Sequence, residues 1–359
     1  MNILALLTDG YGAHGGIAQY NRDLMNALSA SPQVRQVACL VRNGTGSAPS
    51  SKVHQAPARS GRLRYSLAAL FHTLRNKPDV VFCGHLYLVP LAAVIAKGSG
   101  ARLWVQLHGI DAWRKPGQLT ARLLPMAKLV TVVSRYTRTR FLGWSTIGPH
   151  RVKVLPNTVS PPPQTPSAPN ASERYKRHGG PVMLTVGRLA ASERYKGHDR
   201  VLRCLPQLLQ NEPNLQYLIA GDGDDRQRLE LLAQSCGVEE NVQFLGKVSD
   251  EELDALYRIA DLFVMPSTGE GFGIVFLEAM VRGVPALGLD ADGSVDPLQD
   301  GRLGWVANEA SLCETIHRAL QKKPAPDLPQ RVEQTFGQQR FQQHAHRLMA
   351  LLANQRVTQ

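Results

Sequence analysis

The sequence predicts an α/β protein of two doubly wound parallel sheets. Three observations carry that expectation. Short apolar runs alternate with helical stretches along nearly all of the 359 residues, which is the order of β–α–β units and more chain than one domain usually takes. The first run, residues 3–7, leads into Asp9-Gly-Tyr-Gly-Ala-His-Gly-Gly and then a helical stretch, the strand–glycine loop–helix opening of such a fold. Residues 156–170 are proline-rich and without periodicity, as a linker between two such units would be.

In the first unit the opening run is continuously apolar, as a strand buried on both faces must be. Residues 19–30 read as its helix. Strands follow at 37–41, 80–83, 103–107, 130–133 and 152–155, with helices at 63–75, 89–97 and 118–127. The glycine loop does not spell GxGxxG, and no acid closes the second strand; both omissions argue against a nicotinamide dinucleotide. Gly15-Gly16 at the helix start would still admit a phosphate.

Beyond the linker, strands are expected at 182–186, 215–220, 242–245, 262–265 and 286–289. Helices are expected at 199–210, 225–236, 250–260, 274–282, 311–321 and 340–353. The domain limits are therefore 1–160, a linker at 161–170, and 171–339. The hexapeptide Ala-Ser-Glu-Arg-Tyr-Lys stands at 171–176 and again at 191–196, too few copies for a repeat architecture.

Charge is unevenly spread. Through residue 160 there are 20 Lys and Arg against four acids, Asp9, Asp23, Asp79 and Asp111, a balance of +16; the rest carries 21 against 25, or −4, and the sum is +12. A basic half points to nucleic acid, an anionic membrane surface or an acidic acceptor. No nucleic-acid-binding signature accompanies it. Residues 59–77 set Arg59, Arg62, Arg64, Arg75 and Lys77 around Leu63, Tyr65, Leu67, Leu70, Phe71 and Leu74. Two readings stand: a basic amphipathic helix lying on a membrane, or a surface helix with its apolar side on the sheet. The longest apolar stretch, residues 86–96, contains Pro90 and is too short to span a bilayer. The N-terminus has no basic leader and reads as a first strand, not a signal peptide. The five cysteines, 39, 83, 204, 236 and 313, are scattered and form no CxxC pair; they fit a reducing cytosol and argue against zinc or a disulfide scaffold.

The chemistry-bearing stretch is Ser267-Thr-Gly-Glu-Gly-Phe-Gly-Ile-Val-Phe-Leu-Glu-Ala-Met. Its glycines let the backbone approach a ligand. Glu278 falls in a run that is apolar nearly all round, hence buried, and a buried carboxylate needs a partner or a ligand. The helix start suits a phosphate. His108, with Gly109 and Asp111, follows a strand, where ligands collect in parallel sheets; a structural role is the competing reading. Arg188 ends another strand and Lys196 stands in the loop after it, a fork and a point charge suited to a diphosphate. Asp222-Gly-Asp224 and Asp290-Ala-Asp292 could hold a metal, but both lie in glycine-bearing turns where aspartate bonds the local backbone. No nucleophilic triad and no P-loop is present.

Taken together in order, these residues resemble the retaining group 1 (family 4) glycosyltransferases of bacterial surface-polysaccharide type. The carrying motif is E-x7-E, Glu270 to Glu278. It is supported by Gly15-Gly16, His108-Gly109, Pro156-Asn157, Gly187-Arg188-Leu189, Lys196-Gly197, Gly221-Asp222-Gly223 and Gly283-Val-Pro285. The resemblance covers essentially the whole chain. It implies the GT-B fold: two Rossmann-like domains with parallel sheets facing across a deep cleft. The acceptor would sit on the N-terminal domain and the nucleotide sugar on the C-terminal one, with a closing helix at about 340–359 packing back on the first. Glu278 would bind the ribose, and Arg188, Lys196 and the backbone of Gly15 and Gly16 the diphosphate. Glu270, Gly271, Phe272, Gly273 and Ile274 would take the transferred sugar, with His108 near the reacting centre and the backbone of Lys247 and Val248 facing the base.

The implied reaction moves a hexose from a nucleotide diphosphate sugar to a lipid-linked or polysaccharide acceptor in cell-surface polysaccharide synthesis. No metal or other cofactor is expected. The location implied is cytoplasmic, peripheral on the inner face of the cytoplasmic membrane. No acid is clearly placed beneath the anomeric carbon, so front-face attack is expected, the departing phosphate oxygen taking the acceptor's proton. The Arg188–Lys196 spacing is longer than in many members, and Asn157-Thr-Val-Ser stands where Asn-Gly-Val-Asp is usual. A sugar-nucleotide epimerase of the same fold and a non-catalytic sugar-nucleotide-binding protein are the alternatives.

Overall fold

The computed structural model describes residues 1–162, 175 and 179–354. The chain divides into two compact units, Met1–Thr158 with Gln338–Gln359, and Val159–Gly337. The first crossing falls at Thr158, two residues before the expected limit. The expected linker, 161–170, lies almost wholly outside the described residues, as does the first hexapeptide copy apart from Tyr175.

The first unit is a seven-stranded sheet in the order β3-β2-β1-β4-β5-β6-β7, with every pair parallel. Its strands are β1 (Asn2–Asp9), β2 (Gln36–Asn43), β3 (Val53–Gln55), β4 (Val80–Cys83), β5 (Arg102–Leu107), β6 (Leu129–Val132) and β7 (Val152–Val154). Its helices are α1 (Gly16–Ser29), α2 (Arg62–Asn76), α3 (Val89–Ser99), α4 (Gln118–Leu123) and α5 (Arg135–Leu142). β1 connects leftward to β2, whereas the connections from β3 onward run rightward. Right-handed crossovers therefore put α1 on one face and α2 to α5 on the other. One core cluster accordingly joins Leu4, Leu6, Val81, Val105 and Val130 of the strands to Tyr65, Ala69, Ala93 and Phe141 of those helices.

The second unit is a six-stranded sheet in the order β10-β9-β8-β11-β12-β13, also parallel throughout. Its strands are β8 (Val182–Val186), β9 (Gln216–Ala220), β10 (Val242–Gly246), β11 (Leu262–Val264), β12 (Ala286–Leu289) and β13 (Trp305–Ala307). Its helices among the described residues are α6 (His198–Asn211), α7 (Arg226–Ser235), α8 (Asp250–Ile259), α9 (Ile274–Met280), α10 (Leu312–Gln321) and α11 (Leu328–Phe336). Ser249 begins α8 with a capping box to Glu252, which satisfies two end groups reciprocally.

The last helix, α12 (Gln338–Asn354), belongs to the first unit. It packs on α1: His346 Nε2 meets Ala27 O at 2.7 Å, and Phe341 meets Tyr20 edge-on.

Four elements escaped the sequence reading. β3 and β13 have three residues each, too few to show alternation. In α5 the run Arg-Tyr-Thr-Arg-Thr-Arg hides the apolar spacing. α11 begins with Leu-Pro, where proline reads as a breaker although the first helical turn tolerates it. The helix expected at 118–127 ends at Leu123 and tightens into a 3-10 turn over Leu124–Met126, with Pro125 inside it. The cysteine reading needs correction. Cys204 on α6 and Cys313 on α10 form a disulfide across 109 residues of sequence. The two helices are neighbours on the sheet, a proximity that linear spacing does not reveal. Cys39, Cys83 and Cys236 are free.

Candidate functional site

Parallel strands deliver their following loops to one edge of a sheet. In the second unit, the loops after β8, β10 and β11 carry most of the expected donor-binding residues.

After β8, Gly187 and Arg188 lead into a 3-10 turn over Ala191–Lys196. That turn is the second hexapeptide copy, and its role is visible here. Its Glu193 pairs with Arg188 and, at 3.1 Å, with Lys196 Nζ. Arg188 is 77% exposed, whereas Lys196 is only 13% exposed. A carboxylate thus holds the two cations assigned to a diphosphate.

After β11 the chain turns through Gly269 and Glu270 into α9. Thr268 donates its backbone N–H to Tyr195 O at 2.9 Å, which ties this loop to the 3-10 turn. Gly269 is required there, because a Cβ would stand 2.5 Å from the Tyr195 ring. Gly273 adopts φ 83° directly before α9, a conformation that glycine takes without strain.

Glu270 is half-buried. Burial pushes its carboxyl up to about 7; Lys196 and Arg188 oppose this, and Asp292 and Glu193 add to it. The loop is fixed beneath by Asp292, which accepts the Glu270 backbone N–H at 2.6 Å and the Ser294 N–H at 2.9 Å. Arg188, Lys196 and Glu270 therefore come together with Glu193, Tyr195 and Asp292.

Glu278 lies one turn into α9 and has a different environment. Tyr257 of α8 donates its hydroxyl to Glu278 Oε2 at 3.1 Å. Burial raises the carboxyl above the usual range, while Tyr257 and Arg282 pull it down. Arg282 bonds Asp254 at 2.8 Å and the Glu278 carbonyl at 2.9 Å. Lys247, exposed, and Val248, half-buried, follow β10 at the same edge. Phe272 is buried against Phe336. Gly271 is buried, and Ile274 is half-buried at the first position of α9.

Three of the four aspartates in the two triplets accept backbone N–H groups. Asp222 accepts from Gly223 N at 2.9 Å, Asp224 from Ala191 N at 2.8 Å, and Asp292 as described. Among the described residues no group of three or more His, Cys, Asp or Glu could hold a metal ion.

In the first unit, His108 follows β5. Its Nε2 lies 3.0 Å from Gly84 O. A carbonyl only accepts, so Nε2 carries the proton and Nδ1 is left as an acceptor in the neutral ring. The ring is indeed neutral: burial, then the neighbouring His85, lowers its pKa to about 3. Tyr20 packs edge-on at 5.2 Å. Asp111 accepts the His108 backbone N–H at 3.2 Å, and burial lifts its carboxyl to about 6. Gly15, at φ 100°, precedes α1 with open space where a Cβ would stand, and Gly15 and Gly16 are both exposed.

The sequence reading missed Glu193, Tyr195, Tyr257 and His85, and it named Asp292 only as a possible metal ligand, not as the support of the Glu270 loop. The repeated hexapeptide was the available signal for the first two. Tyr257, His85 and the part played by Asp292 become visible only through tertiary contact.

Family models match both units: residues 15–158 fit the glycosyl transferase 4-like domain and residues 169–335 the glycosyl transferases group 1 model. A GDP-mannose-dependent alpha-(1-6)-phosphatidylinositol monomannoside mannosyltransferase of Mycobacterium tuberculosis is 30% identical over 288 residues, covering 74% of this chain and 70% of that protein.

The chain belongs to the group 1 glycosyl transferases.

A family member of the same description from Mycolicibacterium smegmatis is 34% identical over 246 residues, or 64% of this chain. The match spans 63% of that protein, less than two thirds of its length. Among solved structures, the Anabaena protein Alr3699/HepE in complex with UDP superposes with a TM-score of 0.76 at 21% identity, over 98% of this chain and all of that one. That likeness shows the fold, which is that of the GT-B glycosyltransferases.

Proposed function

We propose that this chain is a retaining hexosyltransferase. It would take a hexose from a nucleotide diphosphate sugar and attach it to a lipid-linked or polysaccharide acceptor in cell-surface polysaccharide synthesis. The observation that carries the reading is the gathering of Arg188, Lys196 and Glu270 about Glu193 at one edge of the second sheet. A diphosphate offers those cations more negative charge than one carboxylate does, and it would displace Glu193 from them.

In this reading Glu278, oriented by Tyr257, accepts hydrogen bonds from the ribose hydroxyls. Glu270 and the backbone of Gly271, Phe272, Gly273 and Ile274 hold the sugar. The backbone at Lys247 and Val248 faces the base. Gly15 and Gly16 supply amides to the diphosphate, and His108 Nδ1 accepts from a sugar hydroxyl. As the anomeric C–O bond breaks, charge develops on the departing phosphate; Arg188 and Lys196 stabilise it. The acceptor oxygen bonds to the same face of the anomeric carbon, and its proton passes to the departing phosphate oxygen. In this reading no metal takes part, because Arg188 and Lys196 meet the charge on the departing phosphate; Asp222, Asp224 and Asp292 already accept backbone N–H groups. The reaction is placed at the inner face of the cytoplasmic membrane, where a lipid-linked acceptor would be met.

The names of the relatives and of the UDP complex put GDP-mannose and the UDP-sugars first among donors to try. A thermal-shift panel of GDP-, UDP-, ADP- and dTDP-sugars tests the reading. One base should raise the melting temperature, and the matching sugar should then appear on an added acceptor in its original anomeric configuration, with EDTA present. Release of an epimerised sugar, or binding without turnover, would replace it with one of the two alternatives.

A further inference from the structure

The first unit leaves an apolar stripe uncovered. On α2, Leu63, Leu67, Leu70, Phe71 and Leu74 are 73%, 57%, 38%, 67% and 80% exposed. Their spacing places them on one face of the helix. The sheet receives the opposite, narrower stripe of Tyr65, Ala69 and Thr73, with the Tyr65 hydroxyl bonded to Leu40 O at 2.9 Å. The helix therefore gives Tyr65 and two small residues to the core and turns its leucines and Phe71 outward. Of the two readings of residues 59–77, the one that sets the large apolar side on the sheet is removed.

The neighbouring helices continue the pattern. α3 lies beside α2, and α4 beside α3; they expose Val94 (57%) and Leu119 (63%). Arg59, Arg62, Arg64, Arg75 and Lys77 border the stripe, all exposed. Helices α2, α3 and α4 contain no acidic residue.

We propose that the outward face of α2, extended by α3 and α4, is the surface by which this protein docks on an anionic lipid bilayer. The inference rests on the membrane location proposed above and names the surface responsible. The apolar stripe would sink to the acyl boundary while the cations remain among the headgroups, the arrangement of an interfacial helix. None of the helices in the described residues is long and apolar enough to cross a membrane, so α2 would lie in the plane. A second copy of the chain suits this face poorly, because an isologous pairing would bring two acid-free cationic rims together.

The test uses the full chain and sedimentation with lipid vesicles. Binding to mixed phosphatidylglycerol–phosphatidylcholine vesicles should exceed binding to pure phosphatidylcholine by about tenfold or more and weaken with salt. Leu67→Ser/Phe71→Ser/Leu74→Ser should reduce it by about tenfold or more. Leu231→Ser, at an exposed leucine on α7, should leave it unchanged. A second variant, Arg62→Ala/Arg64→Ala/Arg75→Ala, should abolish the preference for anionic lipid. The idea is overturned if both multiple variants bind as the parent does, or if the serine variant instead dissolves a dimer of the parent chain. Donor-induced thermal shifts without lipid should be the same in parent and serine variant. Loss of vesicle binding with that shift intact separates docking from donor binding, and an absent shift in the parent would count against the transferase reading alone.

Discussion

Two carboxylates of one motif have different surroundings. Glu278 is held by a phenol on the adjacent helix, and its oxygen is aimed before any ligand arrives. Replacing it by alanine should weaken nucleotide binding at least about tenfold, or ~1.4 kcal/mol, measured by titration calorimetry; unchanged affinity for every nucleoside diphosphate would remove it from the site. Glu270 is instead held in an environment that disfavours its charge, with its carboxyl raised to about 7. A group whose folded pKa lies above its unfolded one contributes stability that is fully present below the unfolded value. That contribution is lost as pH rises through the folded value. The window here runs from the ordinary glutamate range to about 7, and the lost contribution amounts to at most about 3.5 kcal/mol. Glu270→Gln should therefore flatten the decline in melting temperature over that window and be the more stable form at pH 8. Parallel melting curves for both proteins would contradict the assignment. The motif itself was legible from sequence, since glycine-flanked acids at fixed spacing are local. Tyr257, Asp292 and Glu193 were not legible as partners, because each is defined by contact and not by spacing.

At the scale of elements, long apolar runs such as β1, β4 and β8 were read to within two residues, because burial on both faces leaves continuous hydrophobic sequence. The three-residue edge strands β3 and β13 were not read, whereas β7, equally short, was. The Cys204–Cys313 pairing shows the same limit: α6 and α10 are brought side by side by sheet order, not by sequence distance. Reduction, or Cys204→Ser, should lower the stability of the second unit by about 2–4 kcal/mol. Urea unfolding with and without reductant measures it, and a thiol titration finding five reactive cysteines in the denatured, unreduced protein would deny the bond. The exposed stripe of α2 is the opposite case: the composition was visible at once, but only the packing of Tyr65, Ala69 and Thr73 shows which side faces water.

Across the molecule, the doubling of the fold and the charge contrast between its halves were both plain in the sequence. The return of α12 to the first unit was expected only from resemblance, since an amphipathic helix does not say which core it covers. Its return makes the first unit discontinuous in sequence and the second continuous. During synthesis, Tyr20 and Ala27 of α1 are made more than 300 residues before His346, whose contact with Ala27 spans 319 positions. Domains usually fold in the order they emerge; here the first to emerge would be the last to be completed. The fragment 159–337 should unfold cooperatively on its own. The fragment 1–158 should show a broad, weakly cooperative transition that sharpens when a peptide covering 338–354 is added. Sharp, peptide-independent unfolding of 1–158 would show that α12 is an accessory. In the expected case, a ribosome that stalls anywhere before α12 releases a chain whose second half is native and whose first half is still waiting for its final helix.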